Sequence, residues 1–362
     1  MEQQSHQPGR GNAPGGCDQM SAVLCSWCRL YTTIWCLSAL ALTVALSACG
    51  KSDEQSPPAR VPDRGRQHSE ERTLETQEAR TRPSPATPGL TREAGIARVA
   101  DYRWLTEDVK DTVESRIQPP TGFSRERLTK GSFDEWLRRL PLRPGCPPVH
   151  LYDGRLKGNQ SAHYAVVDID VGRKDLQQCA DAVIRLRAEY LYSRGLEEAI
   201  AFHFSSGDLA EWWKWRGGER PRVRGNEVSW SKTAEPDASY KNFRKYLDVV
   251  FTYAGSASLS NELESAKDPA AVEIGDVFIR GGFPGHAVLV IDVAMNAAGE
   301  RMFLLAQSYM PAQEIHILRN LRSPLSPWYR AAARGQLNTP DWAFRYQDLK
   351  RFPQVGGLGP ER

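Results

Sequence analysis

The sequence lacks several features that would place it in a class at once. Its charges nearly cancel, 47 Lys and Arg against 44 Asp and Glu. Without a basic excess there is no electrostatic case for nucleic acid as the main partner. Repeated long apolar runs, as in a polytopic membrane protein, are missing. Hydrophobic residues make up 40% and charged residues 25%, an ordinary globular composition that excludes collagen-like and wholly disordered chains. No internal repeat is present. His150, His163, His203, His286 and His316 form no His-x-His or His-Glu-x-x-His pattern, so no metal site or other cofactor is expected. Asp168 and Asp170 alternate on a predicted strand face; they could hold an ion, but exposed strand polars are the default reading.

What is present begins with an address. Ile34 to Ala48 is a short apolar core, preceded by Arg29 and ending in Leu46-Ser47-Ala48-Cys49-Gly50. A core of this length with a basic flank reads as a secretion signal over residues 1–48. The alternative is an uncleaved anchor helix. Met20 offers a more regular signal start than Met1. The Leu-Ser-Ala-Cys ending resembles the lipobox of bacterial lipoproteins. That resemblance implies cleavage before Cys49 and lipidation of its sulfur. Gly50, in place of an aspartate, implies the outer membrane, with the chain facing the periplasm and held to the membrane by its lipid. Cys17, Cys25, Cys28 and Cys36 precede the expected cut, so Cys25-x-x-Cys28 is not read as a redox or metal motif.

Residues 49–98 hold the lipidated cysteine and a stretch rich in Pro, Ser, Thr, Glu and Arg, which cannot bury enough apolar surface to offset ordering entropy. It reads as a disordered tether. Residues 99–353 carry the tryptophans and the apolar periodicity, enough for one sizeable core. Residues 354–362 read as a disordered tail.

Within the body, Ser132 and Glu135 form a predicted capping box for a helix beginning Phe133-Asp134-Glu135-Trp136. His163 to Asp170 alternates as a strand. Asp175 is expected to cap a helix from Leu176 to Tyr192, closed by Gly195. Ser239 to Tyr253 reads as a helix, and Gly275–Ile279, Ala287–Val293 and Arg301–Gln307 as strands, the last two joined by a turn at Asn296-Ala297-Ala298-Gly299. Ile315–Leu318 adds a further short strand.

After the expected cleavage, Cys146 and Cys179 are the cysteines free of lipid. Cys179 falls in the first turn of the Asp175-capped helix, where unpaired amides and the dipole lower a thiol pKa and hold an oxyanion. A thiol nucleophile needs a base, and His286 opens a β-branched strand directly after Gly285. Hairpin arithmetic centred near residue 297 sets His286 against Gln307 and Ser308, and Gln307 is the candidate holder of the imidazole. Other readings stay open. Cys179 could be bonded to Cys146 or be an inert buried thiol, His286 could be a satisfied sheet-end histidine, and Gln307 could be a structural hydrogen-bonder. Arg185, Arg187 and Glu189 on the cysteine helix read as a solvated face. Trp212, Trp213, Trp215 and Arg216 form the densest aromatic-basic cluster. It serves either as a platform for sugars or peptides, or as two core tryptophans and one exposed one. Ser205-Ser206-Gly207 could wall the same cleft.

A cysteine opening a helix, then a histidine on a strand, then a polar residue on the next strand resembles the papain-like fold. Gly275-Asp-Val-Phe-Ile and Gly285-His-Ala-Val-Leu-Val resemble the corresponding segment of NlpC-type cell-wall cysteine peptidases, which cut amides of peptidoglycan peptides. The match covers residues 175–310. It departs from that group in its longer cysteine-to-histidine spacing, in Ala-Asp rather than Ser-Gly after the cysteine, and in Gln as third residue. Nearly the whole body is similar to a bacterial lipoprotein family known only as a domain of unknown function. That resemblance rests on Asp175-Leu-Gln-Gln-Cys-Ala-Asp-Ala, Arg185-Leu-Arg-Ala-Glu-Tyr-Leu, Gly275-Asp-Val-Phe-Ile and Leu305-Ala-Gln-Ser-Tyr-Met-Pro-Ala-Gln.

The expectation is therefore an α+β, papain-like (NlpC-like) body in which a helix packs on an antiparallel sheet, preceded by a signal peptide and tether. Its expected function is that of a lipid-anchored envelope cysteine hydrolase or acyltransferase. Cys179, His286 and Gln307 would be catalytic, and Trp212, Trp213, Trp215 and Arg216 would bind a substrate such as a peptidoglycan or envelope peptide. The alternative is a non-catalytic envelope-binding lipoprotein. Nothing in the sequence fixes the oligomeric state.

Overall fold

The apolar run following His286 sets the middle of the fold. Ala287 to Ile291 are all buried, and a strand buried at successive residues needs cover on both faces of its sheet. The computed structural model describes residues 96–353. The expected signal peptide, Cys49, all but the end of the tether, and the tail lie outside those residues. In the described part the architecture is mixed α/β with an antiparallel sheet, the coarse form of the α+β expectation.

The histidine strand, His286–Asn296, lies between Arg301–Gln307 and Val277–Arg280. Beyond Arg301–Gln307 come His316–Leu318 and then His163–Val166; beyond Val277–Arg280 come Leu349–Arg351 and Glu264–Ser265. Every one of these pairings is antiparallel. Ala287, Leu289, Ile291 and Leu304 belong to the larger core, which holds the helices. Val288, Val290, Phe303 and Leu305 face a smaller core with Leu337 and Phe344. Residues 329–349 thus cover the face that the helices leave open.

The cysteine helix runs Cys179–Ser193 and packs on the larger-core side. It starts three residues later than expected. Asp175 does not cap it: its Oδ1 accepts instead from the Ala312 amide at 2.7 Å and from Gln178 Nε2 at 3.0 Å. Gln178 is extended and is the N-cap, and its amide donates to Asp181 Oδ2 at 3.1 Å. Cys179 therefore becomes the first helical residue. At the other end Arg194 caps the helix and Gly195 takes φ 68°, as its sequence position predicts.

The expected solvated face of this helix is buried. Arg185 is 0% exposed and pairs with Glu189 at 2.6 Å; Gln177 Oε1 accepts from its Nη1 at 2.8 Å. Arg187 lies over the rings of Phe133, Tyr190 and Phe352. A helix enclosed on all sides keeps charged residues only where each finds an internal partner.

Elsewhere the local chemistry of the sequence is followed closely. Ser132 caps Phe133–Arg138 by accepting from Glu135 N, but Glu135 Oε2 takes the Gly131 amide and not that of Ser132. Ser239 caps Tyr240–Tyr253. The strand beginning at His163 ends at Val166, because Val167 and Asp168 turn to bond Ile315 and Pro141.

Candidate active site

Cys179 is a free thiol, so the pairing with Cys146 is not formed. It is 9% exposed at the head of its helix. Burial, with Asp181 nearby, pushes the thiol above its ordinary value and outweighs the amides of Ala287, Ala180 and Cys179 itself, which favour thiolate. The expected lowering by the helix terminus is therefore overcome by desolvation. The Ala287 contact also locates the thiol in the fold: it meets the sheet beside His286, at the start of the histidine strand.

His286 is 1% exposed. Its Nε2 lies 2.9 Å from Gln307 Oε1. Its ring packs against Tyr309, Trp342 and Phe344 at centroid distances of 4.8, 5.5 and 5.8 Å. Burial lowers its pKa to about 4, against the raising effects of Gln307 and Asp341. The Gln307 contact was expected, although the register differs. A bulge between Leu304 and Leu305 sets Leu305 against Val290 and Ala306 against Leu289. Continued, this places Val288 opposite Gln307, so the glutamine reaches His286 diagonally across one face, a distance within reach of a long side chain.

Behind Gln307 lies a group that hairpin reasoning did not reach. Gln307 Nε2 donates to Asp341 Oδ2 at 2.8 Å and lies 3.4 Å from His316 Nε2. Lys157 Nζ bonds the same Asp341 oxygen at 2.8 Å. Asp341 comes from a distant turn and Lys157 from a loop, and neither carries a motif. The one available signal was Trp342, an aromatic residue beside an acid after Pro340.

Cys179 and His286 line one cavity of about 590 Å³, together with Asp181, Phe251, Tyr309 and Trp342. Ser205 also lines it, apart from the Trp212 cluster whose cleft the Ser205–Gly207 segment was expected to wall. Phe283, 94% exposed, and Met310, 54% exposed, stand among its lining residues and give the mouth an apolar character. Among the described residues, neither Lys nor Arg lines this cavity. Gly285 is required here by close approach: a Cβ would collide with Ser256 Oγ and the Gly282 carbonyl. Ser256 and Gly282 make that close approach, and both line the cavity together with Gly285.

The Trp212 cluster takes the second of its two readings. Trp212 and Trp215 are buried in the core, with indole N–H bonds to Glu197 and Asn242, and Trp213 is 41% exposed. Arg216 pairs with Glu197 and Glu198. None of the four lines the cavity of Cys179 and His286. Among the described residues no group of three or more His, Cys, Asp or Glu is arranged to hold a metal ion, and no helix is long and apolar enough to cross a membrane.

Comparison with known proteins gives one match. The family described as Domain of unknown function (4846) matches residues 113–351. No curated protein and no solved structure matches the chain.

Proposed function

We propose, for a chain that belongs to the family Domain of unknown function (4846) and inherits no activity from it, a cysteine hydrolase or acyltransferase built on Cys179, His286 and Gln307. The observation that carries the reading is one cavity lined by a free thiol at a helix N-terminus and by an imidazole whose Nε2 is held by Gln307. The order helix-cysteine, strand-histidine, next-strand-glutamine on an antiparallel sheet supports a papain-like arrangement.

With Nε2–H donated to Gln307, His286 keeps a lone pair on Nδ1. In the reaction Cys179 sulfur attacks an amide or ester carbonyl as Nδ1 takes the thiol proton. Amide donors at the helix head stabilise the oxyanion. The imidazolium then protonates the leaving amine or alcohol, the carbonyl re-forms and an acyl-thioester remains. Water or an acceptor amine, deprotonated by His286, releases the acyl group. Since burial raises the thiol and lowers the imidazole, the resting pair is neutral, and His286 acts as general base during attack rather than through a standing ion pair. The Trp212 cluster is not part of this cleft; Phe283, Met310, Phe251 and Trp342 offer the contact surface for the acyl or leaving group.

The proposed setting is the bacterial envelope, with the body tethered through lipidated Cys49 and the substrate an amide in a peptidoglycan or envelope peptide. The same burial of Cys179 also supports a second reading, a non-catalytic envelope-binding module with an inert thiol. Incubation with muropeptides separates the two. Hydrolysis or transfer abolished by Cys179→Ala supports the enzyme; binding without turnover supports the module.

A further inference from the structure

Gln307 can face its neighbours in two ways, related by exchange of its amide oxygen and nitrogen. Each way demands a different proton position on His286. The residues behind it decide between them. Asp341 Oδ2, 2.8 Å from Gln307 Nε2, is an acceptor, and Lys157 at 2.8 Å and Asn159 Nδ2 at 3.5 Å hold that carboxylate in place. Although burial alone raises it, the bond and charge of Lys157 keep Asp341 below the usual carboxylate range, so it stays ionised. His316 is fully buried, and its Nδ1–H donates to the Glu314 carbonyl at 2.8 Å. Its Nε2 is therefore a lone pair, aimed at Gln307 Nε2 at 3.4 Å. Both hydrogens of the Gln307 amide thus meet acceptors. Turned the other way, the amide oxygen would face a carboxylate and a lone pair.

We propose that Asp341 and His316 are positioning residues that lock the Gln307 amide, and through it hold His286 in the Nε2–H tautomer with Nδ1 free to accept the thiol proton. This deepens the proposed function and rests on it for the catalytic consequence, but the tautomer itself can be read without any activity. Control of this kind passes from a fixed carbonyl, Glu314, and a fixed ion pair, Lys157–Asp341, to a proton position at the cavity.

The test uses the full chain labelled with ring-15N histidine at neutral pH, with the signal lost in His286→Ala assigning the residue. Protonated and unprotonated ring nitrogens resonate far apart. The expected wild-type spectrum has Nε2 protonated and Nδ1 bare. Asp341→Asn offers a donor in place of the acceptor and lets Gln307 turn over. An Nδ1–H population should appear at His286, and acylation of Cys179 by p-nitrophenyl acetate should fall at least roughly tenfold. An unchanged tautomer in Asp341→Asn overturns the proposal. If that variant does not fold, an Nδ1–H wild-type His286 overturns it and an Nε2–H one supports it. A tautomer shift in a chain that never acylates leaves the lock standing and removes the hydrolase. Wild-type acylation with an indifferent Asp341→Asn does the reverse.

Discussion

At Cys179 two effects oppose each other. Helix-end amides and the Ala287 amide favour thiolate, while burial and Asp181 favour thiol, and burial prevails. Iodoacetamide should therefore label Cys179 slowly at pH 7, with the rate climbing above pH 9. A plateau already reached below pH 7 would mean that a thiolate exists at rest and would contradict the neutral-pair account. A second buried balance stands on the same helix. Glu189, 1% exposed, neutralises Arg185, which is enclosed entirely. Glu189→Leu should lower unfolding free energy by about 3–5 kcal/mol, because it leaves a buried guanidinium without its closest counter-charge. Urea denaturation measures this. A loss below 1 kcal/mol, on the order of an exposed pair's worth, would show that Asp170 and the Tyr240 hydroxyl, 3.3 and 3.5 Å from Arg185 Nη2, suffice.

At the scale of elements, the strands around His286 were legible because β-branched runs and an Asn-Ala-Ala-Gly turn leave few alternatives. The start of the cysteine helix was not. Asp175 has the side chain of a cap, but a loop 137 residues downstream, at Ala312, claims its oxygen. No local pattern reports that. The same reason hid Asp341 and Lys157: a contact spanning 34 residues from Gln307, or 184 from Lys157 to Asp341, leaves no periodicity to read. Gln307 was legible because a hairpin makes distance along the chain predictive of distance in space. The charged residues of the cysteine helix misled in the opposite direction, since sequence alone does not show a helix covered on every side. One prediction belongs to this scale. Gly285→Ala forces a methyl group against Ser256 and the Gly282 carbonyl, so it should cost on the order of 1–3 kcal/mol and shift the Phe283 loop at the cavity mouth. Thermal unfolding and Phe283 amide chemical shifts would record it; neutrality in both would contradict the close approach.

For the whole molecule, two buried histidines tie stability to pH. His286 and His316 have pKa values lowered to about 4 and about 3, chiefly by burial, from an ordinary value of 6.5. Above pH 6.5 both are neutral folded or unfolded and contribute no pH dependence. Below it the unfolded chain binds protons that the folded chain refuses, so stability should fall progressively as pH drops from 6.5 toward 4. Replacing His316 by Gln should flatten part of that slope. Equal slopes in the two proteins would contradict the assignment. The same low basicity keeps His286 available as a base at neutral pH, which joins the stability of the body to its proposed chemistry. The central claim is that Cys179 is a nucleophile served by His286. Its most direct test is p-nitrophenyl acetate added to the purified full chain, with intact-mass and peptide mass spectrometry at neutral pH. The account predicts a single acetyl group on Cys179, formed in a burst, absent in Cys179→Ala and strongly slowed in His286→Ala. No adduct at Cys179, or one formed equally fast without His286, would contradict it.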